Sequence, residues 1–316
     1  MSTVNPVEPG NVASLDPASS APSSNRRLTI TPRQRIMKIA NSSILIAVIV
    51  ILAVVWSLPT LGLLVSSFRP GDLVQNSGWW TAITYPWHFT LDDYTQVLQA
   101  QGMGRAFINS LIIAIPGTIL PVLVAAFAAY AFAWMRFPGR DWIFITIVGL
   151  LVVPIQITLI PILQLFTAVN LTGSYLAIWL AHTAYGLPFA IYLLRNFFGE
   201  LPADLFESAH IDGASHVRIF FRLVLPLSVP ALASLVIFQF MWVWNDLLVA
   251  LVILGGNPSS TPMTVTIANM INATTSNSNF QVLASAAFVS AILPLIIFFS
   301  LQRYFVRGIL AGSVKG

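Results

Sequence analysis

Residues 200–230, ELPADLFESAHIDGASHVRIFFRLVLPLSVP, carry charge and helix punctuation in the middle of an apolar chain. Pro202 suits the first position of a helix, Asp204 and Glu207 sit near its positive end, and Gly213 suits a left-handed cap, so the spacing predicts a short helix over 202–212. Ser215 is placed to cap a second helix, in which Ile219, Phe220, Leu223 and Val224 recur at spacings of three and four, ending before Pro226. The stretch is a helical hairpin. Leu205, Phe206 and Ala209 give its first arm an apolar stripe, and the small Ser208 and Ala209 permit close backbone approach, a surface suited to a partner's groove.

On both sides of the hairpin the chain has the composition of a membrane protein. Hydrophobic residues are 57% and charged residues 8%, against about 25% charged in a soluble domain. Apolar runs at 44–65, 109–134, 142–166, 175–197, 229–254 and 284–304 are each near the roughly 20 residues that a helix needs to cross a bilayer. The expected fold is an all-α integral membrane protein of six transmembrane helices, with the hairpin between spans four and five. Pro59, Pro116, Pro121, Pro154, Pro161, Pro188 and Pro294 fall inside these runs and predict kinks, tolerated where neighbouring helices or water repair the lost bond. Residues 1–40 are expected to be a disordered basic tail, since Pro, Ser, Ala and Asn dominate before Leu28, and 41–316 the six-span domain. The first run starts too late for a secretory signal and is long enough to stay as an anchor.

The distribution of positive charge sets the expected orientation. Arg26, Arg27, Arg33, Arg35 and Lys38, Arg136 and Arg140, Arg195, Arg218 and Arg222, and Arg303, Arg307 and Lys315 fall on one side, while Arg69 and Arg105 alone fall on the other. That puts both termini and the hairpin in the cytoplasm of a cell-membrane protein. The net charge of +4 therefore reports topology, and no nucleic-acid partner is expected. The outer segment 68–105 carries Trp79, Trp80, Tyr85, Trp87 and Tyr94, suited to the membrane–water interface, and Thr90 is placed to cap a short helix with Asp92 and Asp93 at its positive end. A second outer segment, 255–279, is uncharged and rich in Ser, Thr, Asn and Gly, suited to the approach of a soluble partner or polar solute.

Several chemistries are excluded by what the sequence lacks. There is no cysteine, so there is no disulfide or thiolate site. No G-x-x-x-x-G-K-[ST] stretch exists to cradle nucleotide phosphates, and neither H-E-x-x-H nor G-x-S-x-G occurs. His88, His182, His210 and His216 are scattered without a metal spacing. No catalytic, cofactor or metal residue is expected. Asp246 is the only carboxylate inside an expected span, and an intramembrane ion is a functional candidate by default. Asn109, Gln156, His182, Tyr185 and Gln239 are candidates for hydrogen-bonding a polar solute, with Asn245 and Asp246 beside Trp244, which could stack on a solute's flat face. Polar glue between helices explains most of the same residues equally well.

The hairpin resembles the "EAA" loop of importer permeases of the ATP-binding-cassette superfamily, whose pattern is E-A-A, three residues, G, nine residues, I-x-L-P. Here Glu207-Ser208-Ala209 precedes Gly213 and, nine residues on, Leu223-Val224-Leu225-Pro226, with Ser208 for Ala and Leu223 for Ile as the departures. RFPG at 136–139, WND at 244–246 and the terminal RGILAGSVKG at 307–316 resemble the maltose-transporter type of carbohydrate permease, specifically its six-span subunit with a short glycine-rich tail. The resemblance covers about 43–316 and implies a permease-fold core at about 105–305. It implies an assembly of this permease, a second homologous permease, two cytosolic ATPase subunits that bind ATP and Mg, an extracytoplasmic solute-binding protein and membrane lipid. It implies a coupling role for Glu207, Ser208, Ala209, Asp212, Gly213, Leu223 and Pro226, with Glu207 making a charged contact to the ATPase, Gly213 setting the turn and Asp212 capping or pairing. Gly312 and Lys315 are implied to reach toward the ATPase interface. The expected function is uptake of a sugar or sugar-like solute by alternating access. The alternative is a stand-alone ion-coupled secondary transporter, which would show inverted halves and broken helices around midplane ion sites.

Overall fold

The computed structural model describes residues 32–84, 88–99, 101–273 and 279–313, with side chains from Ser43 to Gln302 apart from Ile83, Ala273 and Leu301. All regular structure among the described residues is helical. In order it comprises α1 (Pro32–Ser66), α2 (Gly71–Asn76), α3 (Asp92–Gln99), α4 (Met103–Trp134), α5 (Arg140–Gly149), α6 (Ile155–Ala168), α7 (Tyr175–Gly199), α8 (Ala203–Ile211), α9 (His216–Ile219), α10 (Leu225–Leu227), α11 (Val229–Trp244), α12 (Leu248–Leu254), α13 (Met263–Ala273) and α14 (Phe280–Ser313). Short 3₁₀ turns lie at Trp79–Ile83 and Leu150–Val152, and a π-type turn at Phe220–Val224. The chain divides into two compact units, Met1–Ser57 and Leu58–Gly316. Residues 1–31 of the expected tail lie outside the described residues, and α1 begins at Pro32, ahead of the apolar run.

In the first unit α1 exposes apolar side chains in succession, among them Ile44, Leu45, Ile46, Val48 and Ile49. Such a surface is stable in lipid, where the helix satisfies its own backbone. Among the described residues four helices are long and apolar enough to cross a membrane, Ser43–Ser66, Met103–Trp134, Tyr175–Gly199 and Phe280–Ser300. Two bent pairs, Arg140–Val152 with Ile155–Ala168 and His216–Leu227 with Val229–Trp244, bring the number to six when each pair is one span.

Three expected helix boundaries are corrected, each for a local reason. The third expected span turns by 104° between its halves. Pro154 has no N–H to donate and holds the preceding Val153 extended, at φ −74° and ψ 117°. The fifth stops at Trp244 and restarts at Leu248. There the Asp246 carboxylate accepts from the backbone N–H groups of Val249 (3.2 Å) and Ala250 (2.9 Å), which caps α12. Finally, the hairpin's second arm does not end before Pro226. It passes through a wide turn in which the Leu225 N–H bonds back to the Phe220 carbonyl, so that the proline ring is admitted and the arm runs to Leu227.

Within the second unit α4 packs lengthwise on α7. The buried residues of both helices include many small ones, Ala114, Gly117, Ala125, Ala126 and Ala129 on α4 and Ala177, Ala181, Gly186 and Ala190 on α7. Small residues let two backbones approach closely where lipid offers no hydrophobic drive between helices. An added Cβ at Gly186 would sit 2.7 Å from the Gln239 Nε2, so a larger residue there would displace the Gln239 amide of α11. Two apolar cores lie along α4. Met103, Ala106 and Ile113 join Ile178, Trp244, Ile253 and Val289 at its beginning, and Val122, Ala129 and Phe132 join Leu194, Phe206, Phe220 and Leu235 toward its end.

The segment between α1 and α4 is held by one buried arginine. Arg69 donates to the Gly78 carbonyl (2.9 Å), the Ser77 Oγ (2.9 Å) and the Thr81 Oγ1 (3.1 Å). Thr90 Oγ1 accepts from the Asp92 N–H at 3.1 Å, so it stands at the start of α3 as expected. Tyr85 and Trp87 lie outside the described residues, and Trp80 is exposed. Burial pushes the Asp93 carboxyl above the usual carboxylate range, with the Asp92 charge adding to it, and its Oδ2 has no hydrogen-bond partner among the described residues. Protonation therefore favours the fold, and the penalty is present above the raised native pKa and fades as pH falls through it. Asp93→Asn is expected to raise the melting temperature at neutral pH, with the gain shrinking in acid. A lower melting temperature at neutral pH would contradict this account.

Candidate functional site

The hairpin is built by local chemistry at its turn and by aromatic packing at its base. α8 ends at Ile211 with Asp212 as its C-cap, and Gly213 follows with φ +74°, a left-handed conformation that glycine adopts without strain. The Gly213 N–H bonds to the His210 carbonyl and the Ala214 N–H to the Ala209 carbonyl, both at 3.0 Å, which closes the C-terminus of α8. Ser215 then starts α9, its Oγ accepting from the Arg218 N–H at 3.4 Å. Gly213 and Ser215 thus stand in the predicted roles, and Pro202 precedes α8 as its N-cap.

One side of the hairpin is fastened to the bundle. Phe206 is 3% exposed and stacks on Trp134, with ring centroids 3.5 Å apart and planes 14° from parallel. Trp134 is itself fixed by its Nε1–H bond to the Phe198 carbonyl (2.9 Å). Phe220 stacks on Phe127 at 4.7 Å, and His216 Nδ1 lies 3.0 Å from the Tyr130 hydroxyl. Ile219 and Val224 complete the anchored side. The expected apolar stripe is therefore corrected: Phe206 faces the bundle and Ala209 is half-buried, because the aromatic ends of α4 and α7 offer the larger apolar surface.

The other side is open. Asp204, Glu207, Ser208, Asp212 and Gly213 are exposed, and so are Leu205, Ile211 (85%) and Val217 (67%). Glu207 and Asp212 make no side-chain hydrogen bond or ion pair among the described residues, whereas the Ser208 hydroxyl folds back on the Leu205 carbonyl. Leu223 is half-buried and Pro226 exposed. Asp204, Glu207 and Asp212 thus leave exposed carboxylates on the same open side as Leu205 and Ile211, with the exposed Arg218 beside Val217. Gly312 lies in the last turns of α14, and Lys315 is outside the described residues.

The polar residues of the spans are dispersed. Asn109 is buried, donating from Nδ2 to the Thr261 carbonyl (3.0 Å) and accepting on Oδ1 from the Tyr175 hydroxyl (2.8 Å). Gln239 is buried with Nε2 on the Gly117 carbonyl (3.1 Å), and Trp244 is buried with Nε1 on the Ser290 carbonyl (3.0 Å), its ring stacked on Phe240. Tyr185 is half-buried with its hydroxyl 2.9 Å from Thr158 Oγ1. Gln156 and Asn245 are exposed, although the Asn245 Nδ2 donates to the Met241 carbonyl. His182 is fully buried, its Nε2 lies 3.8 Å from Asp246 Oδ2, and neither ring nitrogen is hydrogen-bonded among the described residues. No sequence signal pairs these two residues, which come together only because α7 passes the break before α12. Among the described residues no group of three His, Cys, Asp or Glu side chains could hold a metal. At the start of α4, at its opposite end from the hairpin, Gln101, Arg105, Thr261, Thr266 and Asn269 line an open hollow of about 450 Å³.

Comparison with known proteins adds four findings. The family described as binding-protein-dependent transport system inner membrane component matches residues 121–311. The chain is 55% identical over 270 residues to the osmoprotective compounds uptake permease protein GgtD of Synechocystis sp., covering 84% of this chain and 90% of that one. It is 54% identical over 241 residues to the alpha-glucoside transport system permease protein AglG of Rhizobium meliloti, covering 75% of this chain and 63% of the relative's length. In fold it matches a chain of a bacterial ABC transporter involved in the import of the acidic polysaccharide alginate, with TM-score 0.67 and 22% identity, over 87% of this chain and 98% of that one.

Proposed function

The chain belongs to the family of binding-protein-dependent transport system inner membrane components, and from that membership we propose that it carries a sugar or sugar-like solute inward as one permease of an ATP-driven importer. The names of the relatives support the solute class, since one takes up osmoprotective compounds and another alpha-glucosides. The ion-coupled alternative is not favoured, because the family is defined by dependence on a binding protein. The proposed complement is a second permease, two ATPase subunits that bind and hydrolyse ATP with Mg, and a solute-binding protein on the outer face. Both termini are assigned to the cytoplasm, on the thirteen-to-two division of basic residues.

The observation that carries the mechanism is the two-sided hairpin, with Phe206, Ile219 and Phe220 fastened to α4 and α7 while Glu207, Ile211 and Asp212 stand free. The free side seats in the ATPase. ATP closes the motor, the hairpins transmit the closure through their aromatic base, and the permease pair changes which side it opens to. ATP and the loaded binding protein thus favour the same global state, which couples their binding. Leu223 and Pro226 shape the second arm, the small Ser208 on the free side lets the partner approach, and Ala209 lets α8 lie close to the bundle. Gly312 and Lys315 are assigned to the ATPase interface on family resemblance. Solute contact from this subunit is assigned to exposed Gln156 and Asn245 ahead of Asn109, Gln239 and Trp244, whose polar atoms already bridge helices, with Tyr185 and Asp246 supporting the path. Glu207→Arg is expected to release the ATPase subunits during purification and to lower ATP-driven uptake in proteoliposomes by about tenfold. Uptake by the purified chain alone, or labelling of Ser208→Cys from the outer face, would overturn the reading.

A further inference from the structure

Two arginines remain that the hairpin does not use. The turn from α4 into α5 places Arg136 and Arg140 around a hollow of about 370 Å³, with Phe137, Gly139, Asp141 and Trp142 as its other walls. Arg136 is exposed and makes no side-chain hydrogen bond or ion pair among the described residues. Arg140 donates from Nε to Asp141 Oδ1 at 3.0 Å and from one Nη to the Met135 carbonyl at 3.4 Å. The hollow thus holds two guanidinium groups against one carboxylate, and its floor is the left-handed turn at Gly139, φ +78°, that opens α5. Beyond it the surface changes character abruptly. Trp142 is 78% exposed, Ile143 and Ile145 on the same helix are exposed, and no residue of α5 is buried.

We propose that this hollow binds the phosphodiester headgroup of an anionic membrane lipid. The guanidinium fork matches phosphate oxygens, and the N-terminus of α5, the positive end of its dipole, opens beside the same hollow. A tryptophan beside a charged hollow and an apolar helix face marks the depth of lipid headgroups. Exposed Ile143 and Ile145 give acyl chains a surface to lie along, which a soluble protein partner would leave uncovered. Asp141 answers only part of the positive charge, so a single anion completes the site. The assignment needs only that α5 lies in the membrane, and it stands apart from the ATPase contact of the hairpin.

The test uses the whole importer, purified and returned to nanodiscs of phosphatidylcholine with a minority of phosphatidylglycerol, with retained lipid counted by native mass spectrometry. Retention of phosphatidylglycerol is expected to fall by roughly fivefold for each arginine removed, in Arg136→Gln and in Arg136→Gln/Arg140→Gln. Arg105→Gln, at the far end of α4, leaves it unchanged, and added inorganic phosphate at constant ionic strength does not displace the lipid. Trp142→Ala keeps both charges and lowers retention by a smaller factor, so the site remains testable if the double variant fails to assemble. Equal retention in wild type and arginine variants overturns the proposal. So does a double variant that sheds its ATPase subunits while keeping its phosphatidylglycerol, which would make the hollow a protein-docking site.

Discussion

Gly213→Pro is expected to leave the spans assembled and to abolish coupled uptake while ATP hydrolysis continues. The glycine sits at φ +74°, and an added Cβ there would meet nothing within 4 Å, so the strain of substitution comes from the backbone and not from crowding. Alanine would have to hold a left-handed conformation, at a cost of about 1–2 kcal/mol. Proline cannot hold it at all, since its ring fixes φ near −65°, and it also deletes the N–H that bonds to the His210 carbonyl. The turn between α8 and α9 must then open, and the Ser208–Val217 tip moves relative to its aromatic base. Coupling energies of 1–3 kcal/mol correspond to about 5–150-fold, so loss of the turn geometry lowers ATP-driven accumulation by about tenfold or more. Gly213→Ala should fall between wild type and proline. Uptake and ATPase activity measured on the same proteoliposomes decide the matter, and normal transport by the proline variant would remove the hairpin from the mechanism.

The parts of this molecule that were legible in its sequence are those fixed by near neighbours. Gly213 and Ser215 announce a turn because the cap chemistry lies within a few residues, and both stand where expected. Long apolar runs announce spans for the same reason. The two bends were marked by residues whose effect depended on their surroundings. Pro154 breaks its span, whereas Pro116, Pro121, Pro161 and Pro188 lie inside continuous helices. Exposure does not settle which prolines break, since Pro154 and Pro161 are both exposed and only Pro154 ends a helix. Phe206 is the plainer case, since an exposed-looking aromatic on a short polar helix turned inward to stack on a residue 72 positions earlier, Trp134. Helix α13, in the uncharged outer segment for which no helix was anticipated, formed with Thr264 Oγ1 bonded to the Asp246 carbonyl, a contact that spacing within the segment could not indicate. Tertiary partners, not local propensity, decided these positions.

Phe206→Ala should have the second-largest effect, by removing the footing of the hairpin while leaving its turn intact. The ring is 3% exposed and lies face to face with Trp134 in the core that joins α4, α7 and both hairpin arms. Truncating a buried phenylalanine costs about 3–5 kcal/mol. Because α8 touches the bundle mainly through this side chain and half-buried Ala209, the loss falls on the attachment of α8 rather than on the spans. Amide exchange across Ala203–Ile211 is therefore expected to rise by orders of magnitude, while α4 and α7 keep their protection. Uptake should fall steeply although Glu207 and the other exposed carboxylates remain present to meet the ATPase, so co-purification should persist where transport fails. Phe206→Leu, which refills part of the space, should recover part of both. If exchange and uptake both stay at wild-type levels, force does not pass through the Phe206–Trp134 stack, and the bundle must be moved by the second arm alone through Phe220 and Phe127.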